Sequence, residues 1–359
     1  MADFLLPAIL SRLNARWLAS GLAALALLLA SAGAALAQGP VLAGSVNTDA
    51  TPGSVAVSGT TAYVVNIDGN TLQCFDVSNP ASPTLLGSVS TGANSAPYGV
   101  AVSGTTAYVV NFYGRTLQCF NVSNPSAPVL LGSVGTGTNT NPYRVAVSGT
   151  TAYVVNYSGN TLQTFNVSNP ASPTLLGGVS TGNNLRGVAV SGTTAYVVNS
   201  GSNTLQSYNV SNPASPTLLG SVSTGSNSYP VSVAVSGTTA YVVNASNTLQ
   251  SYNVSNPASP TLLGSVSTGS NPAGVAVSGT TAYVVNTDDN TLQAFNVSNP
   301  ASPTLLGSVS TGANSNPYGV AVSGTTAYVV NQTSNTLQTF ISAPTLSSVS
   351  PRAGRRARA

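Results

Sequence analysis

The stretch that decides the fold is PVLAGSV, which runs from Pro40 to Val46. Six close relatives of it follow, and each of them ends a longer repeat; they begin at Pro83, Pro128, Pro173, Pro216, Pro260 and Pro303. The first copy has no repeat in front of it, so the array begins with the last segment of a unit. This displaced copy indicates how the two ends of the array meet.

The repeat contains the motif AVSGTTAYVVN, which occurs seven times with its tyrosines 42 to 45 residues apart. In the second unit, four apolar segments follow one another, at residues 99–104, 106–111, 116–122 and 128–134. They are rich in Val, Tyr, Thr and Leu and lie between turn-forming residues, which favours strands. A period near 45 residues with four short strands predicts one propeller blade per unit.

The count of segments predicts a closed ring. Seven copies of the first three segments are present, but only six copies of the fourth follow them. The copy at Pro40 would supply the seventh, as the outermost strand beside Thr336 to Ile341, and would cover an open sheet edge. We therefore predict an all-β, closed seven-bladed propeller with four-stranded blades, whose last blade is completed by the N-terminal strand. APTLSSV, residues 343–349, is the alternative candidate for that edge.

The repeat resembles a known family in the stretch FDVSNPASPTLLGSVSTG, residues 75–92, followed by PYGVAVSGTTAYVVN, residues 97–111. These motifs are similar to the LVIVD repeat and to the wider YVTN-type bacterial surface propellers, over all seven units. The acidic residue of the family's D-V-S-N-P turn is kept only as Asp76, and most other copies have Asn. The resemblance implies an exported bacterial or archaeal propeller and brings no catalytic residues with it.

The two ends of the chain differ from the repeats. Arg12 and Arg16 precede an apolar run that ends in Ala-Leu-Ala at residues 35–37, which is typical of a cleaved signal peptide. An uncleaved membrane anchor is the alternative interpretation. We assign residues 1–37 to the signal peptide, 38–342 to the propeller and 343–359 to a tail that resembles the start of another surface domain, of the immunoglobulin-like IPT/TIG type. Cleavage predicts a secreted, periplasmic or cell-surface bacterial protein with no remaining membrane span.

Charged residues make up only 4% of the chain, and His, Lys and Glu are absent from the sequence. Between Pro40 and Ile341, three Arg stand against five Asp, which argues against a basic face for nucleic acid. Without His, a Ser-His-Asp triad and a His-ligated metal are both excluded. We therefore expect no enzyme and no cofactor, and a lactonase-like hydrolase is the least favoured alternative.

The connections between segments divide into two kinds. SGTT and SNPASP barely change between copies, whereas the turns after the second and fourth segments vary. Because neighbouring strands of a blade run in opposite directions, both variable connections emerge on one face, here called the variable face. Residues just before the first segment would line the channel mouth on this face; the candidate ligand-binding residues are Tyr98, Tyr143, Arg144, Arg186 and Tyr318.

Tyr and Arg are frequent binding anchors, and an Arg pair suits a carboxylate or sulfate group. We expect a monomer that recognises a glycan, a peptide or a surface protein on the variable face. A structural spacer, whose tolerant turns have simply diverged, is the alternative.

Two further pairs of residues, one acidic and one of cysteines, could in principle bind a metal or form a disulfide. Asp288 and Asp289 form a weak candidate for a metal site, because calcium takes several oxygen ligands and only two adjacent carboxylates are present. Cys74 and Cys119 occupy equivalent positions in neighbouring blades, where facing sheets lie about 10 Å apart, too far for a disulfide. We predict two small buried thiols.

Overall fold

The computed structural model describes residues 39–342; the predicted signal peptide and the C-terminal tail lie outside this range. These residues form seven antiparallel four-stranded sheets, which are the blades of a propeller. Within residues 39–342 there is no helix with the length and apolar character needed to cross a bilayer.

The strands are numbered in chain order. Blade 1 comprises β2 (Pro52–Ser58), β3 (Thr61–Asn66), β4 (Thr71–Asp76) and β5 (Thr84–Ser90). Blade 2 comprises β6 (Pro97–Ser103), β7 (Thr106–Asn111), β8 (Thr116–Asn121) and β9 (Val129–Gly135). Blade 3 comprises β10 (Pro142–Ser148), β11 (Thr151–Asn156), β12 (Thr161–Asn166) and β13 (Thr174–Ser180). Blade 4 comprises β14 (Leu185–Ser191), β15 (Thr194–Asn199), β16 (Thr204–Asn209) and β17 (Thr217–Ser223).

The remaining blades follow the same order until the last. Blade 5 comprises β18 (Pro230–Ser236), β19 (Thr239–Asn244), β20 (Thr248–Asn253) and β21 (Thr261–Ser267). Blade 6 comprises β22 (Pro272–Ser278), β23 (Thr281–Asn286), β24 (Thr291–Asn296) and β25 (Thr304–Ser310). Blade 7 comprises β26 (Pro317–Ser323), β27 (Thr326–Asn331), β28 (Thr336–Ser342) and the N-terminal strand β1 (Pro40–Asn47).

The N-terminal strand closes the ring as predicted. β1 pairs antiparallel with β28, with Gly44 opposite Thr339, and the pairing shifts by one residue between Leu42 and Gly44. The corresponding pair in blade 1 is Gly87 opposite Cys74, with a bulge at the same place. The displaced heptapeptide therefore takes the register of an ordinary fourth strand.

The apolar character of the second strand has its origin in burial on both faces. In β3, Tyr63 and Val65 pack against blade 2, whereas Ala62 and Val64 pack against blade 7. Alternate side chains of a strand point to opposite sides of the sheet, so a strand between two neighbouring sheets needs an apolar residue at every position. The same arrangement recurs at all seven contacts between blades, including the one between blades 7 and 1.

The outer strands contact the SNPASP turn of the next blade through a glycine. A Cβ on Gly87 would lie 2.7 Å from the carbonyl oxygen of Pro125 in blade 2, so only glycine permits this approach. Beside it, Ser251 donates a hydrogen bond to the carbonyl of Pro300 in the next blade. Thr164, Ser207 and Thr339 make the corresponding bond in blades 3, 4 and 7.

Cys74 and Cys119 take the place of this hydroxyl in blades 1 and 2. Both are fully buried free thiols, in agreement with the prediction. Ala294 takes it in blade 6 and has no turn to face, because blade 7 draws its fourth strand from the N-terminus. There Gly307 packs directly against Gly39.

The first strand of each blade begins two residues earlier than its apolar pattern indicates. β6 starts at Pro97, which pairs with Asn111, and the ladder resumes at Gly99 opposite Val110. Tyr98 is therefore the extra residue of a β-bulge, a feature that re-aims a side chain out of the regular alternation. This local irregularity recurs in every blade and builds the channel mouth.

Candidate ligand-binding site at the channel mouth

The bulge at the start of each innermost strand places one residue per blade at the mouth of the central channel. These seven residues, here called the mouth ring, are Gly53, Tyr98, Tyr143, Arg186, Val231, Ala273 and Tyr318. Blades 2, 3, 4 and 7 contribute large side chains, and blades 1, 5 and 6 contribute small ones. The open part of the mouth therefore lies over the neighbouring blades 5 and 6.

The next residue of each strand forms a second ring, deeper in the channel, here called the channel ring. Six of its members are Gly or Ser, and blade 3 contributes Arg144; the six are Ser54, Gly99, Gly187, Ser232, Gly274 and Gly319. Neighbouring members of this ring approach closely, since a Cβ on Gly319 in blade 7 would lie 3.2 Å from the Cα of Ser54 in blade 1. One long side chain can occupy this space because its neighbours are small.

Arg144 fills the space below the mouth and is held there by several contacts. Its Nη1 donates hydrogen bonds to the carbonyl of Tyr98 and, at 3.3 Å, to the carbonyl of Tyr143. Its Cζ lies 4.7 Å from the ring centre of Tyr143 and 5.5 Å from that of Tyr318, which places the cation over two aromatic faces. Arg144 thus joins blades 2, 3 and 7 at the channel axis.

Two tyrosines meet across the mouth. The hydroxyls of Tyr143 in blade 3 and Tyr318 in blade 7 share a hydrogen bond, although the residues are 175 positions apart in the chain. Tyr143 is 7% exposed, and burial raises the pKa of its phenol, with the neighbouring Tyr318 adding to the effect. The phenol of Tyr143 therefore stays protonated at neutral pH.

An aromatic shelf, consisting of Tyr98, Phe112, Tyr143 and Tyr157, covers blades 2 and 3. The ring centres of Tyr98 and Phe112 are 4.9 Å apart, and those of Tyr98 and Tyr143 are 5.2 Å apart. Tyr157 continues the shelf at 5.9 Å from Tyr143. Together with Arg186 and Tyr318, the shelf surrounds a cavity of about 260 Å³.

A second, more polar cavity of about 190 Å³ lies beside the shelf, over the small mouth-ring residues Val231 and Ala273. Its wall on blades 3 and 4 carries the guanidinium groups of Arg144 and Arg186. Its wall on blades 6 and 7 carries side-chain amides and a hydroxyl, from Asn271, Asn316, Gln332 and Thr287. Among the described residues that line the two cavities, none has a carboxylate.

The structure brings all five candidate binding residues together, since each lines at least one of the two cavities. Sequence reasoning missed Phe112 and Tyr157, which complete the shelf. Both are the first residue of the turn between the second and third strands, a position filled in chain order by Ile67, Phe112, Tyr157, Ser200, Ala245, Thr287 and Gln332. The sequence signal that could have identified them is the presence of aromatic residues at this position in two adjacent blades.

Asp288 and Asp289 form hydrogen bonds to the neighbouring loop on the variable face. Asp289 Oδ2 accepts a hydrogen bond of 2.7 Å from the backbone N–H of Ser270, and Asp288 Oδ1 accepts one of 3.2 Å from Asn271 Nδ2. Ser202 makes the corresponding bond to the neighbouring loop in blade 4. Across residues 39–342, no group of three or more His, Cys, Asp or Glu comes together, so these two carboxylates have no third ligand of this kind.

Comparison with solved structures places the fold among known propellers. The virginiamycin B lyase from Staphylococcus aureus superimposes with a TM-score of 0.65 at 9% identity, covering 83% of this chain and 98% of the lyase. A protein from Lactobacillus plantarum gives a TM-score of 0.65 at 19% identity, covering 72% of this chain and 84% of that one. A chain of the mitotic checkpoint complex gives 0.70 at 11% identity, covering 84% and 91%. At these identities the likeness concerns the fold alone.

Comparison with sequences is more specific. No curated protein matches the chain at a significant level. The family model of the LVIVD repeat matches six times, at residues 51–91, 98–136, 142–181, 183–224, 229–268 and 271–311. These matches cover more than half of the chain and coincide with blades 1 to 6, whereas blade 7 is assembled from both ends of the array. The protein therefore belongs to the LVIVD-repeat family, as its repeat motifs predicted.

Proposed function

We propose that this protein is an exported, monomeric and non-catalytic binding module whose ligand docks at the channel mouth on the variable face. The observation that carries the proposal is the convergence of Tyr98, Tyr143, Arg186 and Tyr318, from four different blades, around two adjoining cavities. If no ligand bound at the mouth, the same residue could occupy the mouth-ring position in every blade. The bulky residues instead meet across part of the mouth and leave space over blades 5 and 6.

The chemistry of the walls favours binding over catalysis. Phenols, guanidinium groups and amides surround the cavities, and a general base with a pKa near neutrality is not among the described lining residues. Aromatic faces and Arg are the groups that most often anchor a ligand at an interface. The ligand is a glycan, a peptide or a segment of a surface protein that reaches this mouth.

An array of glycans and peptides tests this proposal. The wild-type propeller is expected to bind a defined class of ligand, and Tyr98→Ala and Tyr157→Ala are expected to weaken that binding about tenfold or more by removing ring faces. Tyr229→Asn is the matched control, because Tyr229 is an exposed tyrosine of the variable face that lines neither cavity.

Two outcomes would contradict the proposal. A ligand whose affinity is the same for wild type, Tyr98→Ala and Tyr157→Ala binds at another surface. A folded propeller that binds nothing on either array behaves as a structural spacer, which is the alternative reading of the repeat.

A further inference from the structure

The two arginines of the mouth have different surroundings, although the sequence presents them as a pair. Arg144 belongs to the channel ring, and its guanidinium is engaged by two backbone carbonyls and two tyrosine rings. These contacts fix the position of the side chain below the mouth. Arg144 therefore holds the tyrosines of the mouth in place and is a positioning residue.

Arg186 belongs to the mouth ring, and its hydrogen-bonding capacity is not used up. Its Nε is buried and has no hydrogen-bond partner within residues 39–342, while its Cζ lies 5.6 Å from the ring centre of Tyr157. A guanidinium carries five N–H donors, and a buried donor without a partner costs about 1–3 kcal/mol. Since Nε itself is buried, a ligand meets the guanidinium through its terminal nitrogens, and Arg186 lines both cavities.

The charge around Arg186 favours an anionic acceptor. Arg186 and Arg144 both line the polar cavity, and none of its described lining residues is acidic. The carboxylate of Asp288, on the turn after β23, is bonded to Asn271 Nδ2, a residue of the cavity wall. A cavity with two cations and no carboxylate in its wall has a positive potential, which attracts an anion.

The size and shape of the two cavities further restrict the kinds of ligand that can bind. At about 190 and 260 Å³, each cavity is smaller than the ~300–1,000 Å³ pockets that enclose drug-sized ligands. Only the end of a larger ligand fits. Arg186 lines both cavities, so the anionic group and a ring lying on the aromatic shelf must be close neighbours in that ligand. The amides of Asn271, Asn316 and Gln332 on the opposite wall suit a group with several hydroxyls.

We propose that Arg186 anchors the carboxylate of a terminal acidic sugar, a uronic acid whose ring lies on the aromatic shelf and whose hydroxyls face the amide wall. This inference rests on the proposed binding function at the channel mouth. A carboxylate accepts two parallel N–H donors from a guanidinium, which gives both energy and orientation. The apolar C–H face of the sugar ring then covers tyrosine and phenylalanine faces.

Titration calorimetry with matched sugars tests the inference. The probes are the methyl glycosides of glucuronic, galacturonic and mannuronic acid, each compared with its neutral parent sugar. Wild type is expected to bind at least one acidic sugar roughly tenfold to a hundredfold more tightly than the neutral parent, the range for a hydrogen bond to a charged group. Arg186→Gln is expected to abolish this preference, and Arg186→Lys to keep part of it. Rising salt is expected to reduce the preference.

The control variants distinguish the role of Arg144 from that of Arg186. They also distinguish the proposed binding function from the proposed uronic acid ligand. Arg144→Gln removes one of the two cations and a support of the tyrosines, so it is expected to lower the melting temperature and to weaken, but not abolish, the preference for the acidic sugar; Tyr229→Asn is expected to bind as wild type does. Equal binding of acidic and neutral sugars overturns the inference while leaving the binding function intact. A preference that survives Arg186→Gln, or binding only of peptides with a free C-terminal carboxylate, also overturns it. Loss of all binding in Tyr98→Ala, with the acidic preference present in wild type, supports both proposals.

Discussion

The side-chain oxygen of Asn335 accepts a hydrogen bond of 2.8 Å from the backbone N–H of Thr51, across the contact between the last blade and the first. Asn335 has a positive φ of 53°, a conformation that Asn adopts more readily than most residues. Five other asparagines at the same turn position make the same bond to the next blade; they are Asn70, Asn160, Asn203, Asn247 and Asn290. Blade 2 has Arg115 there, with a φ of 52° and no side-chain acceptor.

Arg115→Asn should stabilise the protein. The substitution replaces a residue strained at positive φ and adds the missing bond to the N–H of Asn141 in blade 3. We expect a gain of about 1–2 kcal/mol in the free energy of unfolding, the sum of a hydrogen bond and a fraction of the left-handed strain. Urea unfolding measures it as a higher midpoint at unchanged slope. Arg115→Ala removes the charge without adding an acceptor, and an equal gain in that variant would contradict the explanation.

The glycine of the closing strand should be intolerant of a side chain. A Cβ on Gly44 would lie 2.5 Å from the carbonyl oxygen of Pro80 in blade 1. Gly44→Val is therefore expected to lower the free energy of unfolding by about 1–3 kcal/mol, the usual cost of overpacking. Ser45→Val places the same side chain on the exposed side of β1 and is expected to be nearly neutral in thermal unfolding. Equal melting temperatures for the two variants would show that β1 does not close the ring.

Deletion of residues 38–48 tests the closing strand as a whole. The deletion leaves β28 with an unpaired edge, so we expect a sharply lower melting temperature and concentration-dependent association through that edge. Differential scanning calorimetry and light scattering measure the two effects. A deletion without effect would mean that APTLSSV, residues 343–349, takes the outer position instead.

The hydroxyl that donates a hydrogen bond to the next blade should stabilise the protein only where an SNPASP turn supplies the accepting carbonyl. Ser251→Ala removes the bond to the carbonyl of Pro300 and is expected to cost about 1 kcal/mol of unfolding free energy. Ala294→Ser adds a hydroxyl in blade 6, where blade 7 has no SNPASP turn, and is expected to bring no gain. Chemical denaturation of both variants measures the difference. Stabilisation by Ala294→Ser would contradict this account of the contact.

The two cysteines should make the protein sensitive to alkaline pH. Burial raises the pKa of the Cys74 and Cys119 thiols to about 12, whereas a free thiol titrates near 8.5. The folded state thus holds these protons more tightly, and the resulting stability is complete below pH ~8.5 and is lost as the pH rises towards 12. Thiol reagents at pH 8 are expected to modify neither cysteine until the protein unfolds.

A double variant separates the thiols from those tyrosines whose pKa burial also raises, among them Tyr143, Tyr208 and Tyr252. Cys74→Thr with Cys119→Thr installs the residue that blades 3 and 7 have at this position, and we expect a shallower loss of stability between pH 9 and 12. Urea unfolding across this pH range gives the comparison. An unchanged slope would assign the alkaline sensitivity to the tyrosines.

Much of the fold could be predicted because the same segments recur in the same order in every repeat. The tyrosine spacing in AYVVN predicts the blade, and the displaced PVLAGSV predicts both the number of blades and their closure. The first strands were placed two residues too late, because the pairing of Pro97 with Asn111 skips Tyr98, and an apolar pattern does not reveal a skipped residue. That same bulge creates the mouth ring.

The candidate site was only partly predictable. Comparison of the seven copies pointed to Tyr98, Tyr143, Arg144, Arg186 and Tyr318, because these positions vary on a constant scaffold. It did not include Phe112 and Tyr157, since the sequence does not say that the first residue of a turn leans against the start of the neighbouring strand.

The sequence by itself determined the blade, the count of seven and the closing strand, because these follow from the order and number of apolar segments along the chain. Only the tertiary structure decided that Tyr143 meets Tyr318 and that Arg144 and Arg186 have different surroundings. The physical reason is the narrow channel, which brings residues from opposite blades within reach of one another and leaves room for one long side chain among Gly and Ser. Such contacts depend on how side chains from distant blades point toward one another around a closed ring, and the order of residues in a repeat does not reveal this direction.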